Sequence, residues 1–130
     1  MDAYVFFDKR RTKHFMPWHL FCSKKWSHCL VLLDYGTETV VCECLASGLA
    51  VIKDLSIAAQ IRHWKDFNGT AIVKIPVPND YEECFRLRGI MTCVSVVKAV
   101  LRINKPFILT PKGLFNYLKK HGGKVIYERK

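Results

Sequence analysis

A chain of 130 residues, half of them hydrophobic, is long enough to bury about two-thirds of its unfolded surface, so a single domain over residues 1–130 is expected. Its 21 Lys and Arg against 11 Asp and Glu leave a formal charge of +10; that suits nucleic acid, an anionic wall polymer or an acidic protein, and equally a plain solvated surface. The six cysteines lack the dense spacing of a secreted disulfide scaffold, no apolar run reaches the roughly 18 residues of a membrane span, and no signal-peptide pattern opens the chain. A reduced protein, soluble where it is made, is the expectation.

In chain order, Ala3 to Phe7 is an apolar, aromatic-rich run that predicts a strand, followed by the basic turn KRRTK. Residues 14–26 have neither helical nor strand period and contain Pro17, so they predict an ordered loop lined with aromatics. His28 to Asp34 and Thr39 to Leu45 are two strand-like runs joined across Gly36, the pattern of a hairpin. A two- or four-residue loop there puts His28 and Glu43 on one sheet face: directly opposite if Tyr35 and Gly36 form the turn, diagonal if the turn is centred one residue later. A three-residue loop would bring Cys42 or Cys44 to that face instead.

Leu49 to Leu55 predicts a third strand, and Ser56 caps a short helix whose Ile57, Ile61 and Trp64 share a face, with Gly69 closing the unit. Ala71 to Val77 predicts a strand placed at an edge by Pro76. Asp80 to Leu87 fits either a short helix or an irregular approach to the next element. From Gly89 to Ile103 the apolar residues Ile90, Val94, Val97 and Leu101 recur at helical spacing, with Thr92 as N-cap, Cys93 as first helical residue, and Asn104 to Pro106 as the stop. Thr110 and Pro111 open a last helix through Leu114, Phe115 and Leu118, closed by Gly122 and Gly123; KVIYE is a candidate final strand.

A sulfur at a helix start faces free N–H groups and the positive end of the helix dipole, a setting in which a thiol can fall from about 8.5 to roughly 3.5–7.5 in pKa. Cys93 is therefore the candidate nucleophile. A nucleophilic thiol needs a base within hydrogen-bond reach and a third group to orient that base. His28 at a strand start and Glu43 across the hairpin supply both, and Glu43 between two cysteines of an otherwise apolar strand is odd unless something pairs with it. His14, His19, His63 and His121 have no such setting and read as loop or surface residues. Cys42 and Cys44 form the only close cysteine pair, no two-residue cysteine spacing occurs, and the glycines at 36, 48, 69, 89 and 113 are isolated; neither a metal nor a nucleotide cofactor is expected.

The order of a strand beginning with histidine, a strand bearing a polar third residue, and later a helix beginning with cysteine resembles the circularly permuted papain-like proteins, which include permuted NlpC-type peptidases and lecithin retinol acyltransferase relatives. More closely, WSHCLVLL, VVCECL, MTCVSVVKAVLRI and TPKGLFNYL, covering roughly residues 18–121, resemble small proteins encoded by tailed bacteriophages. Threonine before the cysteine and Glu43 at the orienting position depart from what many members carry. The resemblance implies an α+β fold of permuted papain-like topology, an antiparallel sheet with the Cys93 helix packed on one face. It implies a cysteine hydrolase or acyltransferase acting on an amide or ester, such as a cell-wall peptide, with Cys93 as nucleophile, His28 as base and Glu43 as orienting residue. The host cytoplasm, or a virion with other virion proteins as partners, is the implied location. The alternative is a non-catalytic virion component whose basic surface, including Arg10, Arg11, Lys24 and Lys25, binds DNA or an acidic protein.

Overall fold

The computed structural model describes residues 1–9, 26–45, 47–54, 56–66, 69–77 and 90–129. Most of the expected basic turn, including Arg10 and Arg11, most of the aromatic loop, including Lys24 and Lys25, and the 80–87 segment lie outside these residues. The elements in order are β1 (Asp2–Asp8), β2 (His28–Asp34), β3 (Thr39–Leu45), β4 (Gly48–Asp54), α1 (Ile57–Asp66), β5 (Gly69–Pro76), α2 (Cys93–Val100), α3 (Pro111–Lys120) and β6 (Lys124–Glu128). The strands form one six-stranded sheet in the order β4-β3-β2-β1-β5-β6, antiparallel throughout. The α+β class and the antiparallel sheet expected from the sequence are thus present.

Strand β1 lies inside the sheet because both of its faces are apolar. Ala3, Val5 and Phe7 join Cys29, Val31, Leu33, Ala71 and Val73 in a core that α2 and α3 cover with Val94, Val97, Val100, Leu114, Phe115 and Leu118. Tyr4 and Phe6 join Leu30, Leu32 and Ile72 on the other face, under Ile57, Ile61 and Trp64 of α1. The sheet is therefore sandwiched, and its period-2 alternation decides which helix each residue meets. Trp26, at the edge of the first core, packs on Phe115 with ring centroids 4.6 Å apart and on Phe7 at 5.5 Å.

Two boundaries differ from the sequence expectation for identifiable reasons. Pro76 does not mark an edge: β5 lies between β1 and β6. Because Val77 N–H donates to Met1 O at 2.9 Å, the alternation turns position 76 toward β6, which pairs only as far as Lys74. The missing N–H of Pro76 therefore costs no ladder bond. Gly69, expected to close α1, instead begins β5, where a Cβ would collide with the Trp64 carbonyl.

Helix α2 starts at Cys93 as the Thr92 cap predicts, but it stops at Leu101 rather than at Asn104. Arg102 adopts φ 56°, Arg102 N–H donates to Ala99 O, and Ile103 N–H donates to Lys98 O at 2.8 Å. This paired closure is the Schellman arrangement, usually built on glycine, so arginine there hides the stop signal. Ile90 precedes the helix and is 81% exposed instead of buried; Val96 takes a place in the core.

Candidate active site

Helix α2 is anchored at its N-terminus by a reciprocal cap. Ser95 N–H donates to Thr92 Oγ1 at 3.1 Å and Thr92 N–H donates to Ser95 Oγ at 2.7 Å. Together with Val96 N–H donating to Thr92 O at 3.0 Å, this fixes the first turn and leaves the N–H groups of Cys93 and Val94 without an intrahelical acceptor. The side chain of Cys93, partly buried, stands at the positive end of the dipole beside those groups.

The histidine and the carboxylate come from the hairpin. Tyr35 N–H donates to Glu38 O at 3.0 Å across Gly36 and Thr37, and Gly36 has φ 89°, the pattern of a II′ turn. Asp34 then pairs with Thr39 and Val31 with Cys42, so His28 and Glu43 are diagonal neighbours, the second of the two registers the loop length allowed. His28 Nε2 lies 3.0 Å from Glu43 Oε1, with side chains 11% and 13% exposed.

Helix α2 packs on the face opposite the one that His28 and Glu43 share. Alternation groups His28 with Leu30 and Leu32, and Glu43 with Val41, on the α1 side, whereas Cys93 packs against the core on the other side. The groups nevertheless meet, because the β2–β3 ladder ends at Val31 and Cys42. Beyond that rung no further register pair joins the two strands, and α2 packs against both of them. There His28 and Cys93 interact, each favouring the charged form of the other. With Nε2 committed to Glu43, Nδ1 is the ring nitrogen left for the sulfur.

The electrostatics follow from this enclosure. Burial alone would lower the His28 pKa, but hydrogen bonds to Cys93 and to Glu43, then the negative charges of Cys93 and Asp8, raise it from 6.5 to about 9. Asp8, 4% exposed, is the register partner of His28 on β1. Cys93 is held well below the ordinary thiol value, first by a hydrogen bond from the Cys29 thiol, against the effect of burial, and further by the His28 hydrogen bond and charge. Both shifts favour a thiolate beside an imidazolium. Cys42 and Cys44 move the other way, raised chiefly by burial.

The structure thus brings together all three residues singled out from the sequence, Cys93, His28 and Glu43. Sequence reasoning missed Cys29, which is fully buried and carried no signal except its place next to His28, and Ser95, whose spacing from Thr92 was a readable capping signal. His63 and His121 are exposed; the His121 ring stacks on Tyr117 at 4.0 Å and its Nδ1–H donates to the Tyr117 carbonyl at 2.8 Å. His14, His19, Cys22 and Cys84 lie outside the described residues. Among the described residues no helix is long and apolar enough to cross a membrane. Comparison with protein-family models, with curated proteins and with solved structures finds no match.

Proposed function

We propose that this protein is a cysteine hydrolase or acyltransferase of circularly permuted papain-like topology, acting on an amide or ester. The observation that carries the reading is the imidazole held between the Glu43 carboxylate and the sulfur of a helix-capped cysteine. The chain order of histidine strand, acidic strand and cysteine helix supports the permuted topology, since ordinary papain-like enzymes place the cysteine first. A cell-wall peptide as substrate and a bacteriophage source, with a role in the host cell or the virion, rest on the motif resemblance.

In this reading the Cys93 thiolate attacks the substrate carbonyl and forms a C–S bond. The tetrahedral oxygen takes its negative charge next to the N–H groups of Cys93 and Val94, which need no reorganisation to receive it. His28 Nδ1–H then protonates the leaving amine or alkoxide as the C–N or C–O bond breaks. Water, or an acceptor nucleophile, gives its proton to the now neutral imidazole and releases the acyl group, regenerating the ion pair. Glu43 keeps Nε2 occupied throughout, so that Nδ1 stays directed at sulfur and the imidazolium is stabilised between turnovers.

Trapping the acyl-enzyme tests this. Incubation with an activated ester and with short peptides, followed by peptide mapping, should place the acyl adduct on Cys93. Cys93→Ala should abolish it, and His28→Gln should slow it by several orders of magnitude. An adduct confined to other cysteines, or turnover that survives Cys93→Ala, would contradict the assignment.

A further inference from the structure

Cys29 occupies an unusual place beside the nucleophile. It follows His28 on β2, yet the alternation sends its side chain to the opposite face, where it is fully buried in the core against which Cys93 packs. Its backbone has a direction as well. Tyr35 N–H reaches toward β3, so the N–H groups of Leu33, Val31 and Cys29 point the same way. The last register pair of the ladder is Val31 with Cys42, so Cys29 lies beyond the paired stretch. Cys93 packs against this same core, and the Cys29 thiol and backbone N–H both favour its thiolate.

We propose that Cys29 is a positioning residue for the nucleophile: its buried thiol donates a hydrogen bond to the Cys93 sulfur and seats it at the open end of the ladder, facing His28. Two donors on one residue hold the sulfur from the core side while the imidazole holds it from the other. The arrangement explains how groups on opposite sheet faces converge on one atom. It also explains why a buried position on a strand carries cysteine where valine would pack as well, because a small side chain with a donor is needed there. The inference rests on the reading of Cys93 as a thiolate nucleophile. It adds a residue that touches neither substrate nor leaving group.

The test is the pH profile of iodoacetamide alkylation at Cys93, followed by peptide mass spectrometry in the wild-type chain and in Cys29→Ala and Cys29→Ser. Removing one thiol donor to a charged sulfur should raise the midpoint by about one pH unit in Cys29→Ala. The Cys29→Ser hydroxyl should return most of the difference. Cys29→Val, which suits a buried strand and has no donor, replaces the alanine variant if that one does not fold. An unchanged midpoint in the donor-free variant, or a rise that serine does not reverse, overturns the positioning role while leaving Cys93 as nucleophile. A wild-type midpoint near that of an ordinary thiol overturns both.

Discussion

Removing the partners of His28 one at a time should lower its titration in a fixed order. The imidazole stands at about 9 where a free one titrates at 6.5, a difference worth about 3 kcal/mol at roughly 1.36 kcal/mol per pH unit. Since burial opposes it, Cys93, Glu43 and Asp8 together supply more than that. Glu43→Gln keeps an oxygen acceptor near Nε2 but exchanges a charge-assisted bond for a neutral one, a loss of about 1–2 kcal/mol, so His28 should titrate roughly one pH unit lower. Cys93→Ala removes both a hydrogen bond and a charge, and should move His28 further, to about 7 or below. The assay is an NMR titration of the ring C–H signals, with His28 assigned from His28→Gln. A wild-type midpoint near 6.5, or a larger drop for Glu43→Gln than for Cys93→Ala, would refute the reasoning.

The pH dependence of turnover should be broad, because the thiolate persists well below the ordinary thiol range and the imidazolium is lost only near 9; initial rates from pH 5 to 10 should show the alkaline limb there. For stability the signs oppose. His28, raised, contributes stability present in full below 6.5 and lost as pH rises through about 9. Cys93, lowered, contributes stability present above its ordinary 9.0 and lost as pH falls through its folded value. Folded and unfolded pairs each hold one proton between about 6.5 and 9, so the urea-unfolding difference between wild type and the Cys93→Ala, His28→Gln double variant should be flat there. Thr92→Ala should cost about 1–2 kcal/mol in urea unfolding by removing the cap, and should also slow Cys93 alkylation at pH 6. Gly123→Ala should destabilise by about 1–3 kcal/mol, since a Cβ there would lie 2.6 Å from Leu118 O and 2.8 Å from Val73 Cγ1; thermal melting reads it.

The hairpin, the capped helix and the last helix were legible because each carries local chemistry: glycine in a tight turn, Thr92 before Cys93, and Thr110 with Pro111. The pairing of His28 with Glu43 was legible because strand register follows from loop length. What escaped was non-local. The convergence of Cys93 with His28 depends on where the β2–β3 ladder parts, which period-2 alternation alone would place on opposite faces. Pro76 suggested an edge because proline lacks a donor, yet only the end of β6 decides whether that donor is needed. Arg102 carries a left-handed turn normally marked by glycine, so the helix end could not be read from composition. Cys29 looked like any small buried residue until its neighbour across the core was known.

The most direct measurement is competitive labelling at pH 6 with a cysteine-directed electrophile, quantified for every cysteine by peptide mass spectrometry. An ordinary thiol with a pKa of about 8.5 is under roughly 1% ionised at that pH, while a thiolate paired with imidazolium is largely formed. Cys93 should react more than about tenfold faster than any other cysteine, and His28→Gln should remove the advantage. Cys93 remaining inert in the folded protein, or reacting no faster than Cys42 and Cys44, would contradict the nucleophile assignment.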